Sequence, residues 1–526
     1  MRGGIFLICA LLSTAVCAQD ERESSAAERK VGTAWFGVHL PPEQRDPAVV
    51  VGDRSPRLVT LPSGEAANPE FIGTTIRMDL ETIVGFSKQS RATREVGSGQ
   101  LWGRISGLPS SDKAIEWATD QLRKAGIADT KLQSFKQESN ATFWLPQSWE
   151  VRILGDAGFG VGTSDVVLQS AMPLAGSLIA NGELTAPLVY VGTANPSLLQ
   201  HLDVKGKIAV QLVVPQGHMV FERGSVVPRA QELAKRGAVA VLNLVRLPGN
   251  EPSFDFNNCG GPCFNIGGRD GLFLESVLDK AAQGGQQDKV RARLSLKSER
   301  RSGLQAQNGV AVIPGKSDSV IILDAHADAW FDGAGDNADG LAVMLALARH
   351  FAKPANKPDR TIVFIVSAGH HTSGLNGPRN FMRLNPELAK RAVLAVNIEH
   401  IAQRNFSAGR SVGPDGYRHA IADLGEAPIT AGVSNGSPFL DDVIQRGAQR
   451  YGVNFVSQKS TMQSGETGGF AEVKGARITL MQAPPLYHTT GETLDVISTP
   501  GLERMARFLA FFVKEVGKTP AAQINP

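Results

Sequence analysis

The sequence predicts an α/β fold, a mixed and largely parallel sheet with helices on both faces, with a second, β-rich module inserted ahead of it. Two patterns carry this. After about residue 304, short continuous apolar runs alternate with segments of helical periodicity, as in buried parallel strands joined by helical crossovers. Before that, runs at 187–191, 207–213 and 238–245 are short and β-rich around a single helix at 229–236. A chain of 526 residues is too long for one hydrophobic core and suits two or three domains.

The first 18 residues read as an export signal. Arg2 gives a positive start, residues 5–15 are apolar, and Val16-Cys17-Ala18 offers small residues for cleavage. Cys17 as a lipid-modified residue is the other reading, disfavoured by the bulk of Val16. Residues 19–70 are polar and rich in Pro, Gly and Glu, and form a loosely structured lead-in. Ile76, Leu80, Ile83 and Val84 then mark a helix near 75–86. A second helix is expected at 110–125, capped by Ser110 or Ser111, stopped by Gly126 and buried along Ile115, Ala118 and Leu122. In the last part, strands are expected at 320–323, 361–366, 393–398 and 478–481. Helices are expected at 340–351, 378–384, 438–451 and 500–516.

Composition narrows the function classes. Hydrophobic residues make up 42%, charged residues 20%, and the net charge is +3. No dense Lys/Arg block is present, so nucleic acid is not an indicated partner. No later stretch is long and apolar enough for a stable membrane anchor. Of four cysteines, Cys9 and Cys17 leave with the signal. Cys259 and Cys263 remain in a Gly/Pro loop, where an exported chain forms a disulfide; a metal pair would need further Cys or His nearby.

The candidate chemistry gathers at strand ends. His326 and Asp328 follow the strand at 320–323, Asp336-Asn337 precedes the helix at 340, Glu399-His400 follows the strand at 393–398, and His488 follows the last strand. In parallel sheets, sites form beyond the carboxyl ends of strands. Imidazoles mixed with carboxylates suit Zn²⁺, and Asp328 is placed to orient His326. Taken singly, each is also what a turn, cap or solvated side chain looks like.

The string His326-Ala-Asp-Ala-Trp-Phe-Asp-Gly-Ala-Gly-Asp336-Asn-Ala-Asp-Gly resembles the metal-binding core of the co-catalytic zinc exopeptidases. That group includes aminopeptidases, plasma glutamate carboxypeptidase and the folate-hydrolase/transferrin-receptor branch. Tyr487-His488-Thr-Thr-Gly-Glu-Thr is similar to its last ligand motif, and residues 104–126 to its helical opening. Residues 180–245 resemble an inserted protease-associated domain. The resemblance implies a zinc-exopeptidase sandwich divided into a signal peptide (1–18), a lead-in (19–70), a helical opening (71–140), the insert (141–303) and a catalytic domain (304–520). It implies metal ligands at His326, Asp336 (bridging), Glu399 and His488, with a metal-activated water attacking a peptide or small amide substrate at a chain end.

One departure bears on activity. The family carries two consecutive glutamates, base then ligand, before a Gly-Leu-x-Gly turn. The register of Gly374-Leu375-Asn376-Gly377 puts His371 and Thr372 there; with a one-residue insertion it is His370 and His371. The catalytic candidates are therefore His371, as base or as imidazole ligand, and Asp328. With fewer carboxylates, one zinc is expected to be held firmly and a second more weakly. The expected protein is a secreted or periplasmic metallopeptidase of unspecified oligomeric state. The alternatives are a catalytically weak or inactive binding protein on the same fold, and a serine hydrolase using Ser411 of Gly409-Arg-Ser-Val-Gly413, a motif that needs a strand before it and a helix after.

Overall fold

A computed structural model describes residues 49–51, 61–156, 164–214, 226–254, 259–413, 416–459, 465–482 and 484–526. The expected signal peptide at 1–18 lies outside the described residues, as does most of the lead-in.

The larger unit is built on an eight-stranded mixed sheet. Its order is Phe455–Lys459, Ile429–Val433, Ala476–Met481, Ala392–Glu399, Ser317–His326, Arg360–Ser367, Gln305–Ile313 and Asp129–Lys136. The four central strands, from Ala476–Met481 to Arg360–Ser367, run parallel. They are the continuous apolar runs, and every residue of Arg360–Ser367 is buried. Alternation along Ser317–His326 splits the core into two layers. Ile321, Leu323 and Ala325 pack with helices Gly73–Thr93, Pro109–Lys124, Asp339–Phe351, Pro438–Tyr451 and Thr499–Lys518. Val320 and Ile322 face the other way, toward Phe381, Met382 and Phe470. Each large apolar side chain taken out of water here contributes roughly 1.5–3 kcal/mol.

Helix ends follow local chemistry. Ser498 caps Thr499–Lys518 by accepting from Gly501 N, with Pro500 in the first turn. The expected cap at Ser110 is not formed: the helix begins at Pro109, and Ser110 lies inside it, bonded through N to Glu95 Oε1 at 2.9 Å. Proline at the first position needs no donor partner and moves the start one residue forward.

Residues 143–301 build a second eight-stranded sheet, in the order Val166–Val167, Phe143–Ile153, Arg291–Arg301, Glu183–Tyr190, Ile208–Val213, Ala240–Val245, Cys263–Ile266, Met172–Pro173. Helix Gly268–Gln283, unanticipated from sequence, packs on it through Leu274, Val277 and Leu278. Cys259 and Cys263 form a disulfide with Cα atoms 6.5 Å apart. Reduction should add two daltons to the intact mass, and should cost about 2 kcal/mol because the closed loop is so short; an unchanged mass would disprove the bridge in solution.

The two sheets meet at the end of the parallel strands. Phe254 N donates to His488 O at 2.9 Å, Thr490 N to Pro252 O at 3.2 Å, and Ser253 bridges Thr489. Ser411 lies in the strand Arg404–Gly413, paired antiparallel with Gly416–Glu426 opposite Arg418. A hairpin strand is not the strand–turn–helix that an exposed serine nucleophile requires. No helix among the described residues is long and apolar enough to cross a membrane.

Candidate metal centre

Four parallel strands deliver the site. His326 and Glu399 are the last residues of Ser317–His326 and Ala392–Glu399. His370 and His371 follow Arg360–Ser367, and His488 lies beyond Ala476–Met481. Asp336 comes from the tight segment between His326 and helix Asp339–Phe351. That segment depends on Gly333, at φ +53, where a Cβ would stand 2.3 Å from Ala329 Cβ.

Asp336 is the hub. Its Oδ1 lies 3.2 Å from His326 Nε2 and 2.9 Å from His400 Nε2, and its Oδ2 lies 3.0 Å from both His371 Nε2 and His488 Nε2. His371 and His488 are themselves 2.9 Å apart through their Nε2 atoms. Glu399 Oε1 joins the first pair, 3.8 Å from His326 and 3.5 Å from His400. All six side chains are buried. The donor atoms thus fall into two groups sharing Asp336: His326, Glu399 and His400 on one side, His371 and His488 on the other.

The four ligands inferred from sequence therefore lie in one place, divided between the two sides of Asp336. His371 is with them. Thr372 is not: its hydroxyl donates to Ser106 O at 2.9 Å. Asp328 stands beside His326 as well as the next loop. His326 Nδ1 is 3.0 Å from the backbone carbonyl of Asp328 and 3.6 Å from its Oδ1, and the carboxylate also accepts from His371 N (2.9 Å) and His370 N (3.3 Å). The same residue thus meets the His326 ring and anchors the next strand's loop.

Sequence reasoning gave no site role to three participants, His400, Glu466 and Arg104, and reached His370 only through the one-residue insertion. His400 joins the hub. His370 stacks on His326 with ring centroids 4.3 Å apart, and its Nδ1 is 2.7 Å from Glu466 Oε1. Arg104 is fully buried, donating to Ala327 O (2.7 Å), Asp332 O (2.9 Å) and Gly333 O (3.0 Å), and so grips the chain between His326 and Asp336.

The electrostatics match a site of concentrated charge. Burial works against ionisation of Asp336, yet His371 and His400 hold its carboxyl well below the usual range. Burial likewise opposes charge on the imidazoles; Asp336 nonetheless raises His371 to about 9 and His400 to about 10. At His488 burial prevails, and the ring falls to about 3. Burial lowers Arg104 to about 10, opposed by Asp336 and Asp328, so it stays cationic at neutral pH.

These residues fit a metal ion. Asp336 Oδ2 and His326 Nε2 make no hydrogen bond of good geometry although nitrogen or oxygen atoms crowd them at 3.0–3.2 Å. Donors gathered without hydrogen-bond alignment are what a shared cation requires. Tetrahedral zinc with bonds of 2.0–2.1 Å spaces its ligands by about 3.3 Å, close to the separations here.

Residues 308–513 match the model of Peptidase family M28. Among curated proteins, aminopeptidase YwaD of Bacillus subtilis is 26% identical over 323 residues, 60% of this chain and 62% of that protein. A vacuolar membrane protease of Eremothecium gossypii is 26% identical over 205 residues, 38% of this chain and 18% of that protein. The chain thus spans less than two thirds of the length of either relative. Among solved structures, a peptidase M28 precursor from Shewanella amazonensis is 20% identical, with a TM-score of 0.59 and coverage of 84% of this chain and 98% of that one. BSAP, a zinc aminopeptidase from Bacillus subtilis, is 19% identical with a TM-score of 0.54, covering 85% and 97%. These likenesses establish a shared mixed α/β fold, and residues 308–513 are similar to Peptidase family M28.

Proposed function

We propose that the chain is an exported, zinc-dependent exopeptidase of the aminopeptidase type. The observation that carries this reading is Asp336, held between two groups of imidazoles at the carboxyl ends of the parallel strands in an M28 fold. The aminopeptidase form is preferred over a carboxypeptidase because YwaD and BSAP carry that name.

Zinc would be held by His326, Asp336 and Glu399 on one side and by Asp336, His371 and His488 on the other. When bound, it supplies Lewis acidity toward a carbonyl oxygen and a water of lowered pKa. His371 takes the place of the family's ligand glutamate, and His370 that of its base, which is the one-residue-insertion register. His370 is the exposed edge of the cluster, 15% accessible in its side chain, while its neighbours are closed off. Glu466 on Nδ1 fixes the ring so that Nε2 is free to accept a proton from water and pass it to the leaving amine. Asp328 holds the backbone of both histidines. Imidazole in place of carboxylate leaves the second side with less negative charge, so its zinc is the weaker bound. The 143–301 unit serves as a protease-associated module flanking the site.

Zinc per chain, measured with hydrolysis of a panel of aminoacyl anilides, tests the reading. Cleavage is expected to be slow and selective, abolished by chelator and untouched by a serine-directed phosphonate. Bound zinc with no turnover of any anilide or peptide would favour the alternative, a binding protein that keeps the peptidase fold without the acidic pair.

A further inference from the structure

His400 lies outside the ligand set above, yet it meets the hub as His326 does. Each ring presents Nδ1 to a backbone carbonyl, His326 to Asp328 O at 3.0 Å and His400 to Gln482 O at 3.1 Å. A carbonyl can only accept, so in both rings Nδ1 carries a proton. Such a bond on the far nitrogen fixes the tautomer that points an Nε2 lone pair at a metal. Both Nε2 atoms converge on the same oxygen, Asp336 Oδ1, and both lie within 4 Å of Glu399 Oε1. The backbone is committed to this placement: His400 has φ 49°, a left-handed conformation that a residue with a Cβ adopts only when its surroundings compel it. His488, on the other side of the hub, does the same with φ 58°.

Resting on the zinc reading above, we propose that His400 is a fourth protein ligand on the His326 side, and that the two halves of the centre therefore differ in role. His326, Asp336, Glu399 and His400 make a complete tetrahedral set, the pattern of a closed site that holds metal without an open position. Asp336, His371 and His488 supply three ligands and leave one position for water or substrate. Substrate chemistry then belongs to the His371–His488 side. The closed side fixes Asp336 and supplies positive charge beside it.

The competing chemistry is a doubly protonated His400 that serves Asp336 as a counter-ion. The two are separated by metal content. Purified chain, His400→Ala, His400→Gln and His371→Ala are each loaded with zinc, dialysed against graded chelator, and assayed for zinc per chain and for folding by circular dichroism. The wild type is expected to keep one zinc at chelator levels that remove the other. His371→Ala should keep that firm zinc and lose only the labile one. His400→Ala and His400→Gln should lose the firm one, with affinity down by more than the 10–100-fold typical of losing an outer partner. Gln can bond to both Asp336 and Gln482, so it preserves folding if Ala does not. A folded His400→Gln chain that keeps its firm zinc at wild-type affinity overturns the proposal and makes His400 a counter-ion. A wild-type chain that binds no zinc sinks the zinc reading itself, a different result.

Discussion

Substituting Asp336 with Asn is expected to remove zinc from both sides of the centre at once and to end peptide hydrolysis. Among the described residues it is the side chain that presents an oxygen to the Nε2 atoms of both groups of imidazoles: His326 and His400 approach one carboxylate oxygen, His371 and His488 the other. Asparagine keeps the shape but offers no charge, and its NH₂ would face nitrogens that need an anion or a metal. A ligand present at 1,000 times its dissociation constant stabilises a native state by about 4 kcal/mol. Zinc should therefore raise the melting temperature of the wild type by several degrees and leave Asp336→Asn unmoved. An Asn variant that still gains stability from zinc would show that the hub is not shared.

The second large effect is expected at Arg104, whose hydrogen bonds go to the chain between His326 and Asp336 and to Ser87 rather than to a proposed ligand. Its guanidinium is buried without a carboxylate in contact and is held by three main-chain carbonyls and the Ser87 hydroxyl. Arg104→Met would leave Ala327 O without its donor, while Asp332 O keeps the Ser87 hydroxyl and Gly333 O keeps Ala338 N. At roughly 1–3 kcal/mol for a buried acceptor left unpaired, with the charge-assisted bonds to the other two lost as well, it should destabilise the fold by about 2–4 kcal/mol. It should also weaken zinc binding, because the carbonyls belong to the segment that carries Asp336. Arg104→Lys keeps the charge but not the planar fork, and should recover only part of the loss. Denaturant titration with and without zinc separates the two effects. A Met variant as stable as the wild type would mean that water replaces the guanidinium at no cost.

Much of the fold was legible because its centre is apolar. The strands ending in His326, Glu399 and Met481 are continuous hydrophobic runs between helices of clear period. The sheet's edges were not legible. Asp129–Lys136 is mostly exposed and polar, and it becomes a strand only through pairing with Gln305–Ile313. The site divides the same way. His326, Asp336, Glu399 and His488 show themselves by residue type at strand ends. His400 does not, because successive strand residues point to opposite faces and Glu399 had already claimed the inward one. The left-handed turn at His400 brings both side chains to the same place, and nothing in a histidine announces a positive φ. Glu466 sits in the turn Gly465–Phe470, away from any recognisable motif, and Arg104 was seen only as the start of a helical opening. The choice between Thr372 and His370 turns on a one-residue slip that composition cannot show: Thr372 bonds to Ser106 O, while His370 stacks on His326 and meets Glu466.

The contact of Pro252, Ser253 and Phe254 with the loop carrying His488 bears on modularity. A gene fragment cut at the borders of the family match, 308 and 513, would encode all of the proposed metal-binding side chains, yet it would not yield the centre. It would lack Arg104, which grips the Asp336 segment, and strand Asp129–Lys136, leaving residues 308–313 of strand Gln305–Ile313 as a raw sheet edge open to self-association. It would also free the His488 loop from the backbone pairing that seats it. During divergence, then, the two units are not interchangeable cassettes: any insert replacing 143–301 would have to reproduce that clamp, or the last ligand would be lost with the domain.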